Sequence, residues 1–553
     1  MKLLGKLKTL LISVLMEKNA IITEEIGICS IAAYLEERGC KADIINSSRT
    51  FLDIERIIEM KPDVVGFPVY STTEKIVCEV AEIIKSRLPK TKILFGGYWP
   101  TLSYEYLLNK HPVIDFIIVG EGEAAAYDLV KALENGSDLR NVRGLVYRDG
   151  GGIRVNAKQP PIHNLDSLPM PKRDLLNNSL LRYAYISTSR GCNANCTFCW
   201  HRRFWDDNDK TPWRGRSAEK VVSEVRELVE KYNINRFWFI DDSFEDFNST
   251  CPNRMRDIAK GILDSGLSVS YETYMRAEVY RKLDDESIKL LCDSGFVGVI
   301  FGIEAGNEKD LKLYGKIATA EDNYKAIEFF RKYDIAVDIG FINFNPYSTI
   351  DTLYQNSVYL EKTKFASVLY YLVERCAVTR LSAIYDKVKD DGLLIENNET
   401  QCHSYNYLDK DIAELSRFLY YKYHENEQSR EYFYAKKIGS YIREEFKLVN
   451  HIKRQQRHRQ DVLEIIKKSE NKAWEILEEV NRHNAEWFRL MLAITENGFD
   501  LAKAERLSDS YLNLEKIKKF SDALEKNRLS LYLELNKNGV SPNEYFNFDG
   551  VKK

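Results

Sequence analysis

Tyr185-Ile-Ser-Thr-Ser-Arg-Gly-Cys192-Asn-Ala-Asn-Cys196-Thr-Phe-Cys199-Trp200 is the stretch around which the rest of the chain is arranged. A short run of apolar and hydroxyl residues ends in Arg190-Gly191, and three cysteines follow at C-x3-C-x2-C spacing. One tight loop can then aim three thiolates at a common centre, which reads as a metal cluster. The fourth ligand separates the options. A structural zinc site wants four protein ligands; no second cysteine pair follows at zinc-finger spacing, although His201 could complete a site. A 4Fe-4S cluster held by three thiolates keeps one iron open to a chelating group from outside the protein.

This spacing, on a loop that follows a strand and precedes a helical stretch, resembles the radical S-adenosylmethionine (SAM) superfamily. The resemblance implies that Cys192, Cys196 and Cys199 ligate three irons while the amino and carboxylate groups of SAM chelate the fourth. It also implies that one electron from the cluster cleaves the sulfonium to methionine and a 5′-deoxyadenosyl radical.

The chain has 553 residues, beyond the size at which a single core stops growing, so two to four domains are expected. Lys and Arg number 80 against 83 Asp and Glu, a net charge of −3, so nothing global advertises nucleic acid or an acidic membrane surface. Ten cysteines are too sparse for a disulfide scaffold, and the seven outside the loop (Cys29, Cys40, Cys78, Cys251, Cys292, Cys376 and Cys402) read mostly as buried thiols. Residues 1–15 hold a short apolar run that alternates into a strand pattern and lacks a small-residue cleavage site. No stretch of about 18 apolar residues occurs, so no membrane span is expected. A cytoplasmic protein is expected, which also suits an oxygen-sensitive cluster.

Upstream, residues 1–145 alternate apolar runs at 10–15, 42–45, 63–69, 92–95 and 115–119 with helical periods near 25–38, 51–60, 73–87, 101–110 and 122–134. Five strands with crossover helices predict a doubly wound, Rossmann-like parallel sheet whose ligand sits at the carboxyl ends of the strands. The loops there include Ser71 and Thr72, Gly96-Gly97 and Gly120-Glu-Gly122-Glu. Glycines let a ligand approach the backbone, and the hydroxyls could meet polar groups. The order and wording of these segments resemble the cobalamin-binding domain that precedes the barrel in one large radical SAM subfamily. That resemblance implies cobalamin held near Ser71, Thr72, Gly96, Gly97, Gly120 and Gly122. The Asp-x-His-x-x-Gly segment that supplies a histidine to cobalt elsewhere is missing, and His111 sits at a helix end.

Residues 146–182 read as a connector: a hairpin signal around Asp149-Gly-Gly-Gly152, then a proline-spaced strap from Pro160 to Pro171 that forbids regular helix. From 183 to 378, strands are predicted at 183–188, 236–241, 268–274, 298–304, 336–343 and 368–374. Six βα units make a partial (β/α)6 TIM-type barrel with its chemistry at the carboxyl ends of the strands. Polar residues gather at those ends. By the resemblance, Asp241 and Asp242 face the amino end of SAM, Arg276 its carboxylate and Glu304 its ribose, while Phe198 and residues 342–344 border adenine. Arg214 and Arg216 read equally as helix-start solvation or as interdomain or cofactor contacts.

Residues 379–553 read as a helical region, with long amphipathic patterns at 413–424, 431–449 and 461–495. The basic run 451–459 reads as a solvated helix face rather than an RNA-binding stripe. The resemblance fades here, where substrate specificity is expected to reside. Altogether the expectation is a radical SAM enzyme with a 4Fe-4S cluster, SAM and cobalamin, methylating carbon on a small-molecule or natural-product-pathway substrate, with flavodoxin or ferredoxin as electron donor. The alternatives are radical dehydration, cyclisation or rearrangement without methyl transfer, RNA methylthiolation, and a non-catalytic cofactor carrier. Methylthiolation would need three further cysteines on loops, whereas Cys29, Cys40 and Cys78 are predicted on helices.

Overall fold

The computed structural model describes residues 7–15, 24–178, 183–201, 204, 213–245, 252–397, 399–400, 402–425 and 429–542. Cys251, residues 1–6 and most of the stretch after His201 lie outside the described residues.

Five parallel strands, β1 (Lys8–Leu15), β2 (Lys41–Ser48), β3 (Val64–Pro68), β4 (Lys92–Gly96) and β5 (Phe116–Ile118), form the first sheet in the order β2-β1-β3-β4-β5. Their continuous apolar runs follow from burial on both faces. Helices Ile54–Met60, Glu74–Arg87 and Tyr98–Lys110 cover one face, Ile26–Glu37 and Gly122–Asn135 the other. The order reverses between β1 and β3, so a crevice opens at the carboxyl ends of these strands. The hairpin β6 (Leu145–Asp149) and β7 (Gly152–Val155) adds two antiparallel strands to β5, making seven. It belongs to this sheet, not to the connector in which the sequence placed it, because Gly150 and Gly151 take positive φ (61° and 102°) and fold the chain back. Cys29 and Cys78 lie on helices as expected, but Cys40 sits in the turn before β2.

The strap clamps this domain to the barrel. The Lys172 N–H donates to the Cys29 carbonyl (3.0 Å), and Arg173 pairs with Glu24 (2.5 Å) and with Glu224.

The second sheet is parallel in the order β14-β13-β12-β11-β8, from β8 (Tyr183–Ile186), β11 (Arg236–Phe239), β12 (Ser270–Met275), β13 (Phe296–Glu304) and β14 (Ala336–Phe341). Between β8 and β11, the two-residue strands β9 (Ser189–Arg190) and β10 (Arg214–Gly215) pair with each other. The predicted sixth strand, 368–374, is instead a short helix, Leu369–Val373, and the sixth barrel position is reached by a single parallel bridge from Phe344 to Arg375.

Beyond Val373, the strands β15 (Val378–Thr379), β16 (Leu394–Ile395) and β17 (Cys402–Tyr405) form a small sheet absent from the helix-only expectation. The rest is helical, dominated by Gln460–Thr495 and Leu514–Lys537. Trp487 and Phe488 of the first of these are fully buried, with Phe488 against Phe344 at 6.1 Å, so one apolar core runs through barrel and helices alike. Most of the basic run 451–459 is not solvated. His451 is buried, the Arg454 guanidinium donates to the Cys292 (2.8 Å) and Phe296 carbonyls, and Lys453 pairs with Glu470 (2.7 Å). Among the described residues no helix is long and apolar enough to cross a membrane.

Candidate functional site

The cysteine loop leaves β9 and is held along its length. Asp241, buried at the end of β11, accepts hydrogen bonds from the Thr188 and Ser189 N–H groups (2.6 and 2.7 Å) and from the Thr188 hydroxyl. Its oxygens are thus occupied by the strand-to-loop turn, and it positions the loop instead of facing the amino end of SAM as predicted. Asp242 accepts from the Gly191 N–H (3.2 Å) and lies 2.6 Å from His201 Nδ1. His201 Nδ1 is thus held by Asp242, and its ring stacks on Tyr98 (5.7 Å). Further along, the Thr197 N–H donates to the Tyr314 carbonyl (2.9 Å), and the Ile384 N–H to the Thr197 carbonyl (2.8 Å). Gly315, at φ 66°, lets the loop pass closely: a Cβ there would stand 2.8 Å from the Asn195 carbonyl oxygen. Burial pushes the Cys192 thiol up to about 11 and Cys199 up to about 12, so a metal must displace their protons on binding.

Around the thiols stand groups from the carboxyl ends of β12 and β13. Arg276 is half-buried, bonds Glu278 (2.8 Å) and acts electrostatically on Cys192. Glu304 adopts φ 69° at a register shift between β13 and β14, a backbone conformation that a non-glycine residue holds only under tertiary constraint. Lys316, which the sequence reading missed, donates to the Gly302 carbonyl (2.7 Å) and lies 3.8 Å from Glu304; both act on Cys196. Phe198 meets Tyr314 edge-on at 5.6 Å. Ile342 joins this group through its N–H on the Glu304 carbonyl (2.8 Å), whereas Phe344 turns into the core. Glu245 was also missed. It accepts from the Arg276 N–H (2.8 Å) and the Ser243 hydroxyl (2.9 Å), and its Oε2 is buried with no hydrogen-bond partner among the described residues. Burial pushes its carboxyl up to about 7.

A cavity of about 490 Å³ lies between the first sheet and the barrel. Gly96, Gly97, Gly120 and Gly122 line it, but Ser71 and Thr72 do not; they sit in the turn that starts helix Glu74–Arg87. Gly97 and Gly120 have φ of 96° and 85°, and a Cβ on Gly96 or Gly120 would meet nothing within 4 Å, so these loops leave open space where side chains would stand. The cavity runs inward past Thr9, Leu11 and Gly66 to helix Ile26–Glu37, and outward to Tyr185, Ser187 and Ile240 of the barrel.

The B12-binding domain family matches residues 12–130, and the Radical SAM superfamily matches residues 186–353. An uncharacterized methyltransferase of Pyrococcus horikoshii is 30% identical over 318 residues, 56% of this chain and 67% of the relative. The chain belongs to the cobalamin-binding-domain radical SAM family. An anaerobic magnesium-protoporphyrin IX monomethyl ester cyclase of Cereibacter sphaeroides is 29% identical over 302 residues, 52% of this chain and 47% of the cyclase, so the chain spans only about half of that relative. The structure of the cobalamin-dependent SAM radical enzyme OxsB with aqua-cobalamin bound shares the fold at a TM-score of 0.69 and 20% identity, covering 97% of this chain and 82% of that one.

The family's cofactors are a 4Fe-4S cluster, SAM and cobalamin, and the residues present fit each. Three thiols share one loop, an orphaned carboxylate oxygen and a guanidinium stand beside them, and a glycine-walled cavity of about 490 Å³ lies at the carboxyl ends of the first sheet's strands. What sequence reasoning missed in this radical SAM chain is the wiring between domains. Glu121 and Glu123, from the Gly-Glu-Gly-Glu loop, pair with Arg190 at 2.8 and 2.5 Å, and Arg214 adds to Glu121 at 3.1 Å. Of the two contacts weighed for Arg214, the interdomain one is realised. Arg216 bonds the Ser187 carbonyl (2.9 Å) and Glu224 and also lines the cavity. His111, on Glu74 (2.8 Å), caps its helix away from the cavity.

Proposed function

We propose that this protein is a cobalamin-dependent radical SAM enzyme that removes hydrogen from a substrate carbon and places a methyl group there. When bound, the cluster with SAM supplies a hydrogen-abstracting radical, and cobalamin supplies a transferable methyl group. Cys192, Cys196 and Cys199 would hold the cluster. Glu245 Oε2 would accept from the ammonium of SAM, Arg276 would pair with its carboxylate and Glu304 with its ribose hydroxyls, while Phe198 and Ile342 border the adenine. The glycine loops at Gly96-Gly97 and Gly120 would admit the corrinoid against the backbone.

The observation that carries this reading is that the glycine-walled cavity opens into the barrel at Tyr185, Ser187 and Ile240, the side from which the cysteine loop departs. A methyl donor and a radical source would then face one lumen. Inside it, Trp238 stacks on Tyr274 (5.5 Å) and meets Tyr185 (6.0 Å), and Tyr274 and Ile240 remain 38% and 37% exposed. Such a wall suits a small molecule with an apolar or aromatic face. The bottom of the lumen is closed by Lys447 on Glu272.

Anaerobic reconstitution with iron, sulfide and hydroxocobalamin tests the reading: the protein should retain corrinoid and, once reduced, cleave SAM. A product heavier by one methylene unit supports methylation. A product unchanged in mass or lighter by water supports cyclisation or dehydration, a reading that the cyclase relatives favour. The electron donor would be a small flavodoxin or ferredoxin. The compartment would be the cytoplasm, whose reducing poise suits free cysteines.

A further inference from the structure

The loop that carries the three cysteines is gripped at both ends by the loops that wall the cavity. At its entry, Arg190 stands two residues before Cys192 and binds Glu121 Oε1 (2.8 Å) and Glu123 Oε1 (2.5 Å), which flank Gly122. Glu123 is fixed in turn by the Ser30 hydroxyl (2.7 Å), and Glu121 by the Ile162 N–H of the strap (2.5 Å). At its exit, the Tyr98 ring follows Gly97 and packs among Trp200 (4.4 Å), His201 (5.7 Å, stacked) and Phe204 (4.9 Å), directly after Cys199. Tyr98, Glu121, Glu123, Arg190 and Phe204 all line the cavity itself.

A buried carboxylate-guanidinium pair tolerates little displacement, because separating it leaves uncompensated charge out of water. A ring enclosed by three others is held to one position by contact on every side. Any adjustment of the glycine loops to a corrinoid must therefore move both ends of the cysteine loop.

We propose that Glu123, Arg190 and Tyr98 are positioning residues that couple corrinoid occupancy of the cavity to assembly of the iron-sulfur cluster, each favouring the other. The proposal rests on the reading of the cavity as a corrinoid site. Coupling of this kind is reciprocal and typically amounts to about 5- to 150-fold in affinity.

The test titrates hydroxocobalamin into the full chain in two states, reconstituted with iron and sulfide or stripped anaerobically by EDTA, and reads Kd from visible absorbance. Binding at least 5-fold tighter to the cluster-loaded state is expected. Iron retained after timed exposure to EDTA, measured by mass spectrometry, should rise when hydroxocobalamin is present. In Glu123→Gln and Tyr98→Leu the ratio of the two Kd values should fall towards one, and in Arg190→Lys, which keeps the charge, it should be partly kept. Equal affinity in the two wild-type states overturns the coupling and leaves the cavity reading standing. Absence of hydroxocobalamin binding in both states overturns the two together. A ratio preserved in Glu123→Gln and Tyr98→Leu overturns the assignment of these residues. The wild-type comparison needs no variant to fold.

Discussion

The barrel meets its two neighbours through seams of opposite character. Towards the first sheet the seam is charged: Arg173 between Glu24 and Glu224, and Arg190 and Arg214 on Glu121 and Glu123, all with side chains 18% exposed or less. It also encloses a cavity. Towards the helices the seam is mainly apolar, with Phe344, Trp487, Phe488, Leu477 and Ile442 in one core, crossed by polar contacts such as Asn484 Nδ2 to the Ala366 carbonyl (2.9 Å) and the buried Lys447–Glu272 pair. Buried ion pairs repay their desolvation only with good geometry and add little net stability, whereas apolar burial stabilises by about 25 cal/mol per Å². The charged seam therefore serves alignment around a cofactor space, and the apolar seam serves cohesion.

The sharpest break between the two comes at the cysteine loop, whose entry the charged seam grips through Arg190. Cys196→Ala should abolish SAM cleavage and cut bound iron, measured by 5′-deoxyadenosine release and iron analysis, while thermal unfolding of the cluster-free protein stays near wild type. Turnover surviving this change would sink the functional reading. On the apolar side, Trp487→Ala empties a fully buried site and should cost about 3–5 kcal/mol of unfolding free energy by denaturant titration, with hydroxocobalamin affinity unchanged. If that affinity fell as well, the seams would not be separable.

A smaller effect probes the cavity. Gly96→Leu projects a side chain into space where a Cβ meets nothing within 4 Å, so stability should hold while hydroxocobalamin binding weakens about 10- to 100-fold, or about 1.4–2.8 kcal/mol. Unaltered binding would place the corrinoid elsewhere.

The legible parts of this chain are those where one residue type has one physical use. Glycines at Gly97 and Gly120 announce positive φ, three closely spaced cysteines announce a cluster, and apolar runs bounded by turns gave all five parallel strands of the first sheet. Residues with several uses misled. A carboxylate at a strand end can face a ligand or its own backbone, and Asp241 does the second. Ser71 and Thr72 look like ligand hydroxyls but belong to a helix-start turn. The run Val368-Leu-Tyr-Tyr-Leu-Val373 is too short for its period to separate strand from helix, and packing against the C-terminal helices decided for helix. Glu121, Glu123 and Arg190 were visible as letters, but their partners lie 67–69 residues away, a separation that no local pattern carries.

The basic run 451–459 shows the same limit and permits the finest test of the apolar seam. Read alone it is an exposed stripe; in the fold His451 is 3% exposed against the barrel's underside, near Arg236 and Arg454. Burial first, then these two cations, hold its imidazole down to about 3, against an ordinary value near 6.5. A histidine with a depressed folded pKa binds its proton more readily when unfolded, so its stabilising contribution is complete above pH 6.5 and is lost as pH falls towards 3. Between pH 7.5 and 5 this loss should be about 2 kcal/mol. Comparing the pH slopes of wild-type and His451→Asn stability isolates this group from the carboxylates that titrate alongside. A slope equal in the two proteins would mean that the imidazole is hydrated, and that the apolar seam admits water at the very helix that closes the barrel.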